Sequence, residues 1–309
     1  MSAASLARVV VAISAFRSDA PVLALLSRIF AAGEIGFAAV IVVDSLSNGT
    51  LEQQIAAAGW PVVYENASVN LGSAGNLARR LQLAATMDAD WCFAVNHDGM
   101  FDRAIIAALA TKAASEGKVG AVYPQRVLLD RANSSFKPIS SFFSTVSHAA
   151  EGQEGDDVQV AWDSSNGALY GLAPVRAGVT LWTDLWHGWE DLAYGLQLQQ
   201  AGWRSFRLAS ATFVDDYEYQ RVRLLGREFF ITRKPAWHAY YVIRNLVLIV
   251  RRSKAGFAGW KFIVVRLSRE VAFTLLFRTQ KVLRLRNLVR GLWDGLASVS
   301  GQRDHRKGL

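Results

Sequence analysis

Apolar residues fall in short solid runs along the first part of the chain: Val9-Val10-Val11-Ala12-Ile13, Phe37 to Val43, Pro61 to Tyr64, Trp91 to Val95 and Val119 to Tyr123. Each run predicts a strand; Trp91 to Val95 reads as one buried on both faces, and Phe37 to Val43 as a buried strand. The stretches between them carry helical spacing. Asp19 opens one, capping a helix through about Ala32 with Val22, Leu25, Leu26, Ile29 and Phe30 on one side. A second starts near Thr50, a third spans Gly72 to Met87 and a fourth Phe101 to Ser115. Strands alternating with helices predict an α/β fold, a parallel sheet with helices on both faces.

From Gln125 to Gly178 the pattern loosens. Ser134 to Ser147 is rich in Ser and Phe, and Glu151 to Asp157 reads as a solvated acidic loop. Val158 to Trp162 predicts a strand, Glu190 to Ala201 a helix, and Arg204–Leu208 and Thr212–Val214 two short strands. After Glu218 the character changes. Ala236 to Val250 and Gly256 to Phe277 predict apolar, aromatic-rich helices, and a last helix spans roughly Val282 to Val299. On its wheel Val282, Leu285, Leu288, Val289, Leu292, Trp293 and Leu296 share a face, with Arg284, Arg286, Asn287, Arg290 and Asp294 on the other. This divides the chain into residues 1–220 and a helical extension over 221–309.

Charge sharpens the division. Residues 1–218 hold 14 basic and 22 acidic residues, net −8, while residues 219–309 hold 20 and 4, net +16. An acidic body with a basic tail implies two jobs rather than one basic surface. The single cysteine, Cys92, lies inside an apolar run, so no disulfide forms within the chain, which suits a reducing cytosol. Arg8 to Phe16 has the look of a leader's apolar core, but it is short, lacks a small-residue cleavage site and runs straight into Arg17 and Asp19, so it reads as a strand. No apolar run approaches the ~18 residues that a membrane-spanning helix needs.

Four polar clusters end predicted strands or open predicted helices: Asp44, Asn70 to Asn76, Asn96 to Asp98, and Glu190-Asp191. In a parallel sheet the first three fall on one edge, at the carboxyl ends of the strands, where open α/β sheets bind ligands. Asp98 offers a hard oxygen for a divalent cation, although Asn96 to Gly99 also reads as a plain turn. The glycines of Asn70-Leu71-Gly72-Ser73-Ala74-Gly75-Asn76 let a ligand approach a helix N-terminus, or simply let helix and strand pack closely. Their spacing fits neither the dinucleotide fingerprint nor the P-loop. Adjacent carboxylates at a helix start commonly just complement the dipole. Here Trp182, Trp186, His187, Gly188 and Trp189 lead in, an aromatic run that suits a sugar face and a partly desolvated carboxylate.

Taken together, these segments resemble the inverting family 2 glycosyltransferases of GT-A fold, over about residues 8–220. The likeness is carried by the first strand and its polar turn, Asp44, the Asn-x-Gly-x-x-x-Asn run, an Asp-x-Asp-like Asn96-His97-Asp98, and Glu190-Asp191 within Trp-Glu-Asp-Leu-Ala-Tyr-Gly-Leu. Tyr240-Tyr241-x-x-Arg244-Asn245 is similar to the tail of bacterial rhamnosyl- and galactofuranosyl-transferases. The resemblance implies a Rossmann-like, mostly parallel sheet and transfer of a sugar from a nucleotide-diphosphate donor to a hydroxyl of a glycan or lipid-linked acceptor, in cell-surface polysaccharide synthesis. It implies donor contacts at Ser14, Phe16, Asp44, Asn70, Gly72, Asn76, Asn96 and Asp98. It makes Asp191 the general base with Glu190 beside it, puts the acceptor near Trp186, His187 and Trp189, and sets Mg²⁺ or Mn²⁺ on Asp98.

Two departures stand out. Asn96 occupies the first acidic position of the Asp-x-Asp pattern, and the family's later metal-binding histidine is replaced within Val214-Asp215-Asp216-Tyr217. Asp215 offers a replacement oxygen ligand; a metal-independent site using Arg221 or Arg223 is the alternative. The tail reads either as a folded cap with arginines in water or as a basic amphipathic anchor on an anionic membrane surface. The second reading puts the protein in the cytoplasm at the inner face of the cell membrane. A homo-oligomer through the C-terminal helices stays open, whereas apolar helices and the lack of a known motif set nucleic acid aside. A decayed, sugar-binding scaffold and a nucleotidyltransferase are the rival functions.

Overall fold

In the computed structural model, residues 3–31, 36–46, 49–130, 135–138, 157–215, 219–224, 227–232 and 234–303 are described. The predicted alternation is present: β1 (Val9–Ala15), α1 (Asp19–Phe30), β2 (Ala39–Asp44), α2 (Thr50–Ala57), β3 (Val62–Asn66), α3 (Gly72–Ala85), β4 (Trp91–Asn96), α4 (Arg103–Ser115) and β5 (Val119–Asp130). Then follow β6 (Ser135–Pro138), β7 (Val158–Val160), β8 (Ala168–Gly171), α5 (Leu172–Arg176), α6 (Glu190–Gln200) and β9 (Arg204–Asp215). A hairpin of β10 (Tyr219–Leu224) and β11 (Arg227–Thr232) precedes α7 (His238–Arg252), α8 (Gly256–Phe277) and α9 (Lys281–Leu296).

The main sheet runs β3-β2-β1-β4-β8-β5-β9-β7, with β6 paired to β5. β1, β2 and β4 are buried along nearly their whole length, which is why they read as unbroken apolar runs. The pairings of β1 with β2 and β4, of β2 with β3 and of β5 with β9 are parallel. The sheet is not parallel throughout, however. β8 runs antiparallel between β4 and β5, and β7 runs antiparallel to β9. β8 has four residues within the loosely patterned region, too few for a periodicity to register.

Two further expectations are corrected. Arg204–Leu208 and Thr212–Val214 belong to one strand: the register against β5 jumps from Pro124↔Leu208 to Gln125↔Thr212, so residues 209–211 bulge out of the ladder, which has a second, one-residue shift between Val119 and Ala121. Asp19 does not cap α1. Ser18 holds the cap position, and its hydroxyl accepts from the Phe16 N–H instead. The expected loops at 134–147 and 151–157 lie largely outside the described residues.

The chain divides into two compact units. The first is residues 1–181 with 191–216; the second is 182–190 with 217–309. In the first, α1 lays Val22, Leu25, Leu26 and Ile29 into a core shared with Val11, Ile13, Phe93 and Val95, while Phe30 stacks on Trp60 at 5.7 Å. In the second, α7 is buried at every position from Ala239 to Val250. α9 crosses it closely. A Cβ on Gly291 would stand 2.4 Å from the Tyr240 carbonyl oxygen, and one on Gly295 2.7 Å from the Val247 Cβ.

The wheel assigned to this last helix is corrected too. Leu288 packs inward, but so do Arg284, Asn287 and Asp294 from the supposed solvent face. Arg284 donates to the carbonyls of Thr279 and Lys234 at 3.0 and 2.6 Å. Asn287 donates to the Ala236 carbonyl at 3.0 Å, and Asp294 accepts from the Tyr240 hydroxyl at 2.7 Å. The small glycines bring the α7 backbone so near that polar side chains on that side find carbonyl and hydroxyl partners. No described helix is long and apolar enough to cross a membrane.

Candidate active site

The β1–β4 register sets the expected residues side by side. Ser14 pairs with Asn96 on one flank and Val43 on the other, Ala15 pairs with Asp44, and Asp44 with Asn66. Hydrogen bonds lock this edge. The Ser14 hydroxyl donates to Asn96 Oδ1 at 2.9 Å, and Tyr64 donates to Asp44 Oδ2 at 2.7 Å. Asn76, buried at the start of α3, donates to the Val43 carbonyl at 2.9 Å and to the Ser45 hydroxyl at 3.1 Å, holding the turn that carries Asp44. Asn70 Oδ1 accepts from the Gly72 N–H at 3.0 Å, and Gly72 takes the left-handed conformation (φ 66°) that its lack of a side chain permits. Phe16, by contrast, is 42% exposed beyond the end of β1.

Several polar atoms on this edge are buried and accept or donate no hydrogen bond among the described residues: Asp44 Oδ1, Asn76 Oδ1, Asp98 Oδ1 and Asn166 Nδ2. Native folds rarely leave such groups unmatched. Asp44 ends β2 and Asp98 follows β4, so a polar ligand at this edge would meet a carboxylate oxygen from each.

Asp98 follows β4 in a tight turn, with the Gly99 N–H donating to the Asn96 carbonyl at 2.9 Å. A Cβ on Gly99 would meet Val95 Cγ2 at 2.3 Å, and one on Gly167 would meet the Phe213 ring at 2.5 Å, so only glycine fits either place. A bridge from Met100 to Val214 then ties the Asp98 turn to the end of β9, whose last residue is Asp215. The Asp215 side chain lies outside the described residues, as do Asp216 and Tyr217. Among the described residues no group of three or more His, Cys, Asp or Glu is arranged to hold a metal ion.

Asp191 lies in the first turn of α6, and its Oδ1 accepts from the Leu192 N–H at 2.8 Å. Gly195 seats this helix. A Cβ there would come within 2.5 Å of the Ala161 carbonyl oxygen and of the Trp162 Cβ. The helix start stands near Tyr123 of β5 and Tyr170 of β8. Burial pushes both hydroxyls above the ordinary tyrosine pKa, and the negative charge of Asp191 pushes the same way. Tyr170 pairs across with Cys92 of β4, the strand that ends at Asn96.

Sequence reasoning missed Asn166, whose Oδ1 accepts the Asn96 N–H at 2.9 Å, and buried Arg80, which donates to the carbonyls of Ala12 and Val95 at 3.0 and 3.1 Å. The Asn166-Gly167 dipeptide was a legible turn signal. Nothing local marks Arg80, on an apolar face of α3. Cys92 is no nucleophile, because burial pushes its thiol up to about 12.

The second unit holds the aromatic lead-in. Trp186 packs on Tyr241 with centroids 4.9 Å apart, and His187 lies 5.1 Å from Trp237 and 5.4 Å from His238. Burial holds the His187 pKa below 6.5, against the pull of Glu190. Trp186 and Trp189 both sit at positive φ, 60° and 67°, with Gly188 between them at 84°. Bulky residues occupy that region only under constraint, and α7 supplies it. Asn245 Nδ2 donates to the carbonyls of Leu185, His187 and Gly188 at 3.0, 2.8 and 2.9 Å. Fully buried Arg244 donates to the Leu185 carbonyl at 2.7 Å, and Trp189 Nε1 donates to the Val242 carbonyl at 2.9 Å. The Tyr-Tyr-x-x-Arg-Asn motif therefore holds the segment leading to Glu190. Glu190 Oε2 is itself buried without a hydrogen-bond partner among the described residues. The division between the units falls between Glu190 and Asp191.

No protein-family model matches the chain. No curated protein matches it either. Solved structures do. The mannosyltransferase PcManGT from Pyrobaculum calidifontis, in complex with GDP-Man and Mn²⁺, superposes with a TM-score of 0.58 at 15% identity, over 94% of this chain and 87% of that one. TarS 1-349 from S. aureus, in complex with UDP-GlcNAc, gives 0.58 at 12% identity over 94% and 81%. GalNAc-T7 with UDP, GalNAc and Mn²⁺ gives 0.59 at 10% identity; there the match covers 95% of this chain but 56% of that one. The fold is that of the GT-A glycosyltransferases.

Proposed function

We propose that the protein is an inverting glycosyltransferase. It moves a hexose, rhamnose or galactofuranose or a close relative, from a nucleotide-diphosphate donor to a hydroxyl of a glycan or lipid-linked acceptor. One observation carries the reading: buried, unmatched oxygens of Asp44 and Asp98 at the carboxyl ends of β2 and β4, the two strands that flank β1, in a sheet of GT-A type. The PcManGT and TarS structures hold nucleotide sugars, which supports a donor of that class.

In this reading Phe16 stacks on the base, Asp44 takes the ribose, and the N-terminal amides of α3 after Asn70 and Gly72 face the phosphates. Ser14, Asn76 and Asn96 hold that edge in shape through the hydrogen bonds they make to it. Asp98 and Asp215 would hold Mg²⁺ or Mn²⁺, a hard cation that oxygen ligands suit; when bound it supplies positive charge for the leaving diphosphate. The unmatched Asp98 Oδ1 fits that use. Asp191 takes the proton from the acceptor hydroxyl as its oxygen bonds to the anomeric carbon. The bond from that carbon to the diphosphate breaks on the opposite face, and its electron pair leaves with phosphate. Glu190, Trp186, His187 and Trp189 serve the acceptor.

The test is transfer itself. Purified protein is incubated with a panel of nucleotide-diphosphate hexoses, with Mn²⁺ or with a chelator, and thermal shift and nucleoside-diphosphate release are followed. A donor at 100 times its dissociation constant adds about 2.7 kcal/mol to stability. If no member of the panel binds or turns over, the reading fails and the sugar-binding scaffold takes its place.

A further inference from the structure

α8 is built inside out. Arg266 and Glu270 face the unit: they pair at 2.6 Å, and the Arg266 guanidinium lies 5.5 Å over the Trp189 ring, while Lys261 alone of the helix's charged residues is exposed. Its apolar residues face away, with Phe257 85% exposed, Val264 62% exposed, and Trp260, Val265, Leu275 and Leu276 exposed as well. At helical spacing these outward positions share one side. Only Ile263 and Thr274 of its 22 residues are buried. α9 repeats the arrangement. Arg284, Leu288, Gly291 and Gly295 face in, while Val282 (82% exposed), Val289, Trp293 (67% exposed) and Leu296 face out.

A helix of a water-soluble body normally turns its apolar stripe to the core, and extended exposed apolar faces mark a partner. Charge says which. Lys254, Lys261, Lys281, Arg286 and Arg290 are exposed on or beside these two helices. The acidic residues of the pair, Glu270 and Asp294, are turned inward and bonded to Arg266 and to Tyr240 and Arg303. The described outward faces of α8 and α9 therefore carry apolar and basic groups and no exposed acid. Neither helix can cross a bilayer. Aromatic and aliphatic side chains framed by lysine and arginine suit the boundary between headgroups and acyl chains.

We infer that the outward faces of α8 and α9 seat the second unit on an anionic lipid surface, with α8 as the principal contact. This inference goes beyond sugar transfer and stands or falls without it. The test is cosedimentation of the full chain with phosphatidylcholine vesicles, with and without phosphatidylglycerol. Binding is expected on the anionic vesicles alone and is expected to weaken with salt. Phe257→Glu and Val264→Glu should each lower the partition constant at least about tenfold, with an unchanged thermal unfolding profile because both side chains already face water. Arg286→Gln and Arg290→Gln should each cost about fivefold. Quenching of tryptophan emission by brominated acyl chains reads the same contact in the unaltered protein through Trp260 and Trp293. Equal binding to both vesicle types, no binding, or a dimer that Val264→Glu dissociates would overturn the inference; the last would assign the face to a second copy.

Discussion

The strand edge that carries Asp44 and Asp98 and the segment from Trp182 to Glu190 both hold carboxylates with an unmatched oxygen, yet they are made in opposite ways. The edge is regular. Ser14, Asp44 and Asn96 arrive together because parallel register places the ends of β1, β2 and β4 in line; positive φ is confined to the turns beyond, at Arg17 and Leu46. The segment is strained. Trp186, Gly188 and Trp189 stand at positive φ, and the conformation persists because Arg244, Asn245 and Val242 of a helix more than fifty residues away bond its carbonyls and indole. A surface formed by strand ends tolerates change in its loops. A surface formed by a strap is only as firm as the helix that holds it.

Four experiments would break or sharpen that contrast, the largest effect first. Asp191→Asn should lower turnover by at least about 10²-fold while donor binding, read by thermal shift, stays as it was. Near-normal turnover would remove Asp191 from the role of base. Asn245→Ala withdraws the donor shared by three carbonyls. It should lower the unfolding free energy by about 1–3 kcal/mol in chemical denaturation, and it should raise the acceptor KM more than the donor KM. Equal effects on both would mean that strap and edge are not separable.

Asp98→Ala should weaken apparent Mn²⁺ affinity at least about tenfold, since loss of even an outer partner of a metal costs that much. Titration of Mn²⁺ against donor binding reads it, and an unchanged curve would favour the metal-independent alternative. The smallest effect belongs to Asn96→Asp. A carboxylate there can still accept the Ser14 hydroxyl, and one more negative charge beside Asp98 is worth ~1 kcal/mol in a water-like setting. That corresponds to about fivefold tighter Mn²⁺ binding in the same titration; weaker binding would show that the Ser14–Asn96 bond, not charge, governs the edge.

The same contrast separates what could be read from residues from what could not. The order of strands and helices through β5 was legible because β1, β2 and β4 are buried along nearly their whole length and the helices lay one side on the sheet, so burial writes itself into the apolar pattern; β3, at the edge and half exposed, was legible from its short apolar run alone. Asp44, Asn96 and Asp98 were legible for the same reason: strand ends in a parallel sheet share an edge whatever lies between them in sequence. β8 was not, because four residues carry no period. Nor was the placement of Arg80 or Asn166, whose partners are backbone groups far along the chain.

In the tail, composition announced apolar, basic helices but not their orientation. α7 and α8 are both rich in apolar residues, yet the first is buried along almost its whole length and the second is not. The sequence by itself determined the alternation, the strand-end carboxylates and the charge division. The tertiary structure alone decided which side of α8 and α9 faces inward and what holds Trp186 to Glu190, because glycine-mediated helix approach and hydrogen bonds to distant carbonyls depend on neighbours in space rather than on a period along the chain.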